Sequence, residues 1–85
     1  MNRQAILDRA ASVMTERGHA YGDAATSMEA VAARWSVTLG YPVTAAEVVL
    51  CLIDLKLARL AHDPRHHDSA VDVIGYAALL PEVAR

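Results

Sequence analysis

"VTAAEVVLCLIDLKLARL", at residues 43–60, predicts a helix that is apolar on nearly every side. It opens with "TAAE", where Thr44 and Glu47 match a capping box, in which each side chain accepts a hydrogen bond from the other residue's backbone N–H. The charged residues that interrupt the apolar side chains are Glu47, Asp54, Lys56 and Arg59. We expect this helix to run to about Ala61 and to lie near the centre of the protein.

Three more helices are predicted around this one, and no part of the sequence alternates as a strand would. Apolar residues recur at helical spacing in each of them, with Asn, Asp, Gly or Pro at the expected ends. The predicted helices are residues 3–17 with Asn2 as N-cap and Gly18 as stop, 24–39 with Asp23 and Gly40, and 69–80 ending at Pro81. The sequence therefore predicts an all-α protein, a compact four-helix bundle that forms a single domain over residues 1–85, with its third and fourth helices central.

Composition indicates that this bundle associates with further copies of itself. Of the 85 residues 54% are hydrophobic and none is Phe, whereas a domain of this size buries only about 60% of the surface of its unfolded chain. Burial between subunits would cover the surplus, so we expect a homo-oligomer, either a dimer or a tetramer. Cys51 is the single cysteine, which favours a cytoplasmic protein.

The net charge and the lengths of the apolar runs argue against two classes of partner. The net charge is −2, whereas a nucleic-acid-binding protein usually carries a basic surplus that neutralises phosphates. A helix-turn-helix over "RWSVTLGYPVTAAEV", residues 34–48, would present acids and apolar side chains to a negatively charged groove. The uncharged run "VVLCLI", residues 48–53, is too short to span a bilayer. We therefore expect no nucleic acid and no membrane among the partners.

The charged residues of the central helix form two edges. At about 100° per residue, Glu47 and Asp54 lie about 20° apart, while Lys56 and Arg59 form a separate basic edge. A buried charge without a partner is costly, so each is expected to meet another charge, a metal or a ligand. For Glu47 the capping box is an equally good explanation, whereas Asp54 stands in mid-helix, where aspartate is a poor helix former.

Two further carboxylates, Asp68 and Asp72, stand one helical turn apart where the last helix begins. Hard oxygen ligands of this kind suit Mg²⁺, which keeps several waters and needs few carboxylates. The candidate metal ligands are Asp72, Asp68, Glu47 and Asp54. A second explanation stays open, in which Ser69 and Asp72 form another capping box and bind no ion.

The stretch "RGHAYGD", residues 17–23, predicts a contact with a nucleotide. Gly18 and Gly22 bracket His19 and Tyr21 in a short connection. There the Tyr21 ring can stack on a base, and Arg17 can reach a phosphate. The alternative is purely structural, with Gly18 ending a helix and Tyr21 packing on the next one.

Several other residues are expected to have structural roles only. Trp35 lies in an apolar helical stripe, and Cys51 is expected to be a small buried hydrophobic residue. His62, His66 and His67 stand in a polar connection without a fourth ligand at a spacing typical of zinc sites. We therefore expect no zinc site there.

Taken together, "RGHAYGD", "VTAAEVVLCLIDLKLARL" and "HDSAVDVIGYAAL" resemble a family of small phage and bacterial proteins. These are similar to MazG and the all-α nucleoside triphosphate pyrophosphohydrolases, and the resemblance extends from about Arg17 to Leu80. It implies a Mg²⁺-dependent helical oligomer that cleaves a nucleoside triphosphate between its α and β phosphates, releasing monophosphate and pyrophosphate. The residues that carry it are Arg17 with Tyr21–Gly22, Glu47, Lys56 with Arg59, and Asp68 and Asp72 followed by Gly75–Tyr76.

The resemblance implies a role for individual residues. Asp72, Asp68 and Lys56 would be catalytic: the carboxylates would hold the Mg²⁺ that activates water, and the lysine would neutralise the developing charge. The implied substrate-binding residues are Arg17, His19, Tyr21, Lys56, Arg59 and Tyr76. The sequence departs from the family's E-x-x-E pair, because Glu47 and Asp54 are seven residues apart. The alternative function is a non-catalytic helical module of phage origin that binds or sequesters nucleotides.

Overall fold

The computed structural model describes residues 2–84, and at Tyr21 it describes the backbone only. Within these residues the chain forms four helices and no strand, which confirms the all-α prediction. The helices are α1 (Arg3–Tyr21), α2 (Ala24–Leu39), α3 (Ala45–His62) and α4 (His67–Val83). None of them combines the length and the hydropathy that a membrane-spanning helix needs.

Local hydrogen bonds fix most helix ends where the sequence predicts them. The side chain of Asn2 accepts from the Ala5 backbone N–H at 2.8 Å, and Asp23 caps α2 in the same way. The capping box of α3 is complete, with the Thr44 N–H donating to Glu47 at 2.9 Å and the Glu47 N–H donating to Thr44 at 3.1 Å. Gly40 ends α2 with a φ of 81°, the left-handed conformation that glycine adopts without strain.

The predicted end of α1 at Gly18 is wrong. The helix continues through Gly18 to Tyr21 and stops at Gly22, whose φ is 79°. A single glycine inside a helix costs only about 1 kcal/mol relative to alanine, so the flanking turns keep Gly18 helical. His19 and Tyr21 consequently lie on the last turn of α1, and not in a connection bracketed by glycines.

The predicted limits of α4 are also too narrow. His66 is the N-cap, because its ring Nδ1 accepts from the backbone N–H of Ser69 at 3.3 Å. The predicted capping box that starts at Ser69 is therefore wrong. The helix also passes through Pro81, which removes one backbone hydrogen bond, and the next turn closes with the Ala84 N–H donating to the Leu80 carbonyl at 2.9 Å.

The helices are arranged around α4. The most extensive packing joins α3 to α4, and α4 also packs against α1 and α2. Among the described residues α1 and α3 do not approach each other, although both pack on α4. This arrangement leaves a cleft between α1 and α3.

The hydrophobic core consists of small side chains. The buried apolar residues are Ala10, Ala32, Ala45, Val48, Val49, Val71 and Val83. The outer face of α3 is open, with Leu50, Leu55 and Leu57 each about half exposed. α3 is thus central through its packing on α4, as predicted, but one of its apolar faces is not covered. The prediction that Cys51 is buried is wrong, since its side chain lies on this outer face. Trp35 is half-buried.

Candidate functional site

Asp72 lies at the meeting point of three helices. From α3, Lys56 Nζ lies 3.0 Å from Asp72 Oδ2, and from α1, Arg17 Nη2 lies 3.2 Å from Asp72 Oδ1. The side chains of Asp72 and Lys56 are only 12% and 14% exposed, whereas Arg17 is 51% exposed. One carboxylate on α4 is thus shared by a largely buried lysine and a more exposed arginine.

These three residues line a cavity of about 370 Å³, which we call the α1–α3 cleft. Its charged lining residues are the cations Arg9, Arg17, Lys56 and Arg59 and the acids Glu16, Asp68 and Asp72. Arg9 and Glu16 form an ion pair at 3.6 Å, but both side chains are more than half exposed, so this pair is weak. The cleft therefore holds one more cation than acids, four against three.

Arg59 differs from the other cations of the cleft in its lack of an acidic partner within the described residues. Within the described residues its guanidinium forms no ion pair and no side-chain hydrogen bond. Lys56 and Arg17 meanwhile divide a single carboxylate between them. Arg59 is consequently the cation of the cleft whose charge no carboxylate neutralises directly within the described residues.

His66 joins the cleft to the start of α4. Its Nδ1 accepts from the Ser69 backbone N–H and lies 2.7 Å from the Ser69 hydroxyl oxygen, which is buried. Because Nδ1 acts as an acceptor, a neutral ring carries its proton on Nε2. His66 can therefore cap the helix with one nitrogen and donate to a ligand with the other.

Five of the predicted site residues line the same cleft. They are Arg17, Lys56, Arg59, Asp68 and Asp72. The predicted one-turn spacing of the two aspartates places both at this cavity, as expected for residues i and i+4 of a helix.

The other predicted site residues lie elsewhere. Glu47 is held in the capping box at the opposite end of α3, where Thr44 lowers the pKa of its carboxyl, first through the backbone N–H and then through the side chain. Asp54 is exposed on α3, and His19 is exposed on the last turn of α1. Tyr76 packs against the hydrophobic core. The side chain of Tyr21 lies outside the described part of the chain.

The predicted metal ligands therefore do not share one site. Within residues 2–84 no group of three or more histidine, cysteine or acidic side chains is placed to hold a metal ion. Asp72 has a cation at each carboxylate oxygen, and Glu47 accepts a hydrogen bond from Thr44. Because the partners of Asp72 come from α1 and α3, the spacing of charges within one helix could not show its environment.

Three ionisable residues of the cleft were not among the predicted site residues: Arg9, Glu16 and His66. Arg9 and Glu16 stand eight and one positions before Arg17. The spacing of Arg9, Val13 and Arg17 is i, i+4 and i+8, which places them on one face of a helix. That spacing would have identified the polar edge of α1, whereas His66 had no signal before its capping role was known.

The fold and this cleft define the molecule as a small all-α domain with a cationic site at the start of its last helix. The chain belongs to the family described as "Domain of unknown function (DUF6378)", whose model matches residues 5–84. It is similar to the Gene 55 protein of Mycobacterium phage L5, with 34% identity over 80 residues that make up 92% of this chain and 51% of that protein. The chain thus spans about half the length of this relative, and the similarity supports the predicted phage origin. No solved structure gives a significant match.

Proposed function

We propose that this protein binds a phosphate-bearing ligand, of the nucleotide class, in the α1–α3 cleft. The observation that carries the proposal is that Arg17, Lys56 and Arg59 line one cleft and that, among the described residues, Asp72 is the acid paired with two of them. Lys56 and Arg17 share Asp72, and Arg59 adds a guanidinium that has no acidic partner among the described residues. Phosphate oxygens are acceptors that arginine and lysine bind through charge-assisted hydrogen bonds.

Two further features support an anionic ligand at this position. The cleft volume of about 370 Å³ lies within the range of small-molecule sites. The cleft also includes residues of the first turn of α4, and the amino-terminal end of a helix favours negative charge. The volume of the cleft and the helix dipole at the start of α4 thus both favour the small anionic ligand that the cationic lining indicates.

The donor set does not fit the Mg²⁺ site that the MazG resemblance implies. Asp72 is already paired with two cations, and Glu47 and Asp54 do not line the cleft. The proposed binding therefore uses the cations of this chain and involves no metal-dependent step. A MazG-like relationship and cleavage of a nucleoside triphosphate stay separate predictions.

Calorimetric titration with inorganic tripolyphosphate and with a nucleoside triphosphate, each with and without Mg²⁺, tests the binding. Arg59→Ala should weaken binding of both ligands by about tenfold or more, because a hydrogen bond to a charged group contributes about 1.5–3 kcal/mol. Arg34→Ala is the matched control, since it removes the same charge from an exposed position on α2 that does not line the cleft. Equal affinities for the two variants would contradict the proposal.

Asp72→Asn separates anion binding from metal binding. If the cleft binds phosphate directly, loss of the carboxylate frees Lys56 and Arg17 and should strengthen phosphate binding several-fold. If Asp72 holds Mg²⁺, the same change should abolish Mg²⁺-dependent binding. An assay for pyrophosphate release on the same samples tests whether the bound nucleotide is cleaved.

We also propose that the protein self-associates through the edge of α3 that carries Leu50 and Leu57. The accessible surface of the chain is 5883 Å², whereas a compact monomer of 9.1 kDa is expected to expose about 4,900 Å². The excess of about 1,000 Å² is close to the roughly 800 Å² that each partner buries in a standard interface. Leu50 and Leu57 stand two helical turns apart and are 49% and 48% exposed, so they form an apolar edge for a second copy.

Sedimentation velocity at micromolar concentration tests this association. The unmodified protein should sediment as a dimer or tetramer, and Leu57→Glu should shift it toward monomer. A monomer before substitution would contradict the proposal.

We further propose the cytoplasm of a bacterial host as the location, where nucleotides are abundant and a lone cysteine stays reduced.

A further inference from the structure

A second cavity adjoins the α1–α3 cleft. It has a volume of about 490 Å³, and we call it the outer groove. It lies along the second half of α3 and the connection to α4, and its lining residues are Leu55, Ala58, Arg59, His62, Asp63 and His66. The groove is therefore built from different residues than the cleft, except for two that the cavities share.

The lining of the outer groove suits a flat ring. Leu55 and Ala58 supply aliphatic contacts, and Leu55 is 49% exposed, which leaves half of its surface for a ligand. His62 and His66 contribute planar rings on which an aromatic group can stack. This mixture contrasts with the lining of the cleft, which is dominated by charged side chains.

Arg59 and His66 line both cavities, so the two cavities meet at these side chains. A ligand whose phosphates contact Arg59 from the cleft would direct its next chemical group past these residues into the groove. We propose that the outer groove holds the base of a nucleotide whose phosphates occupy the α1–α3 cleft. This inference rests on the proposed function and adds the position of the base.

The proposal differs from the sequence-based prediction that the Tyr21 ring stacks on the base. It assigns that contact to α3 and the α3–α4 connection, whereas Tyr21 belongs to the last turn of α1. The two assignments predict opposite outcomes for Leu55→Ser and Tyr21→Ala, which makes them distinguishable by experiment.

The test compares adenosine triphosphate with inorganic tripolyphosphate, which lacks a base. The unmodified protein should bind the nucleotide about fivefold or more tightly, because apolar and stacking contacts to a base add affinity. Leu55→Ser and, as a second variant, His62→Ala should reduce this preference and leave the affinity for tripolyphosphate unchanged. The matched control is Leu7→Ser, because Leu7 is 50% exposed and lines neither cavity.

The outcomes distinguish this inference from the proposed function. If tripolyphosphate binds but the nucleotide binds no more tightly, the base makes no contact, so the groove assignment fails while the phosphate cleft stands. If Tyr21→Ala removes the preference and Leu55→Ser and His62→Ala do not, the base lies against α1 and the groove assignment is wrong. If neither ligand binds the unmodified protein, the proposed function fails and this inference with it.

Discussion

The starts of α3 and α4 place acidic side chains in opposite situations. At the start of α3, Glu47 and Thr44 satisfy each other's backbone N–H groups within four residues. At the start of α4, Asp72 is paired with Arg17 and Lys56, which come from two other helices. The first acid completes its own helix, whereas the second joins three helices and lies at the cleft.

This difference shows where a binding site can arise in such a small domain. A carboxylate whose partners are local, as for Glu47, stabilises a helix end and leaves nothing for a ligand. At Asp72 one acid faces two cations, and a third cation, Arg59, lies along the same cleft. The positive charge of these three cations is only partly neutralised by Asp72, and a bound phosphate group would neutralise the remainder.

The largest effect is expected when the tertiary ion pair is broken. Asp72→Ala leaves Lys56, whose side chain is 14% exposed, without its carboxylate partner, and should lower the free energy of unfolding by about 3 kcal/mol. Urea denaturation followed by circular dichroism measures this change. A loss below about 0.5 kcal/mol, typical of a surface position, would show that the pair is solvated.

The control for this prediction is the double variant Asp72→Leu with Lys56→Met. Replacing both charges with apolar side chains of similar size is often close to neutral for stability. We therefore expect the double variant to recover most of the stability that Asp72→Ala loses. If both proteins are equally destabilised, the loss comes from altered packing at α4 and not from an unpaired lysine.

A smaller effect is expected at the cap of α4. His66→Ala removes the acceptor for the Ser69 N–H and should cost about 1 kcal/mol, the usual value of an N-cap. His66→Asn keeps a capping side chain and should leave stability unchanged. Both variants lose the Nε2 donor at the cleft, so both should weaken phosphate binding in the titration. Normal binding by His66→Asn would limit His66 to capping.

The sequence predicted the parts of this protein that depend on neighbouring residues. The capping box at Thr44 and the left-handed Gly40 depend on a few adjacent positions, and both were confirmed. The end of α1 was misplaced because Gly18 and Gly22 are equivalent as local signals, and only the structure shows which one takes the positive φ.

The candidate site was predicted only where it depends on residue spacing within one helix. Helical spacing indicated that Asp68 and Asp72 share a face, and both line the cleft. Spacing within one helix could not show that Asp72 meets Lys56 and Arg17, because that contact depends on how α1 and α3 pack on α4. The carboxylates were consequently interpreted as metal ligands, although the acid at the centre of the cleft has cationic neighbours.

The smallest effect is expected at the start of α3 and concerns pH. Hydrogen bonds from Thr44, chiefly from its backbone N–H, lower the pKa of Glu47 below its ordinary value of 4.5. A carboxyl whose pKa is lowered by folding stabilises the folded state above its unfolded pKa, and that contribution is lost as the pH falls through the folded pKa.

Glutamine keeps the hydrogen-bonding geometry of the box but does not titrate. The difference in unfolding free energy between the unmodified protein and Glu47→Gln should therefore be constant from pH 7 to pH 6 and shift in favour of the glutamine variant below about pH 4.5. Because Glu47 is exposed, the shift should be small, and Thr44→Ala should reduce it further by removing part of the cause. A difference that stays constant from pH 7 to pH 3 would mean that the box does not stabilise the ionised carboxylate, and the start of α3 would then depend on the threonine cap alone.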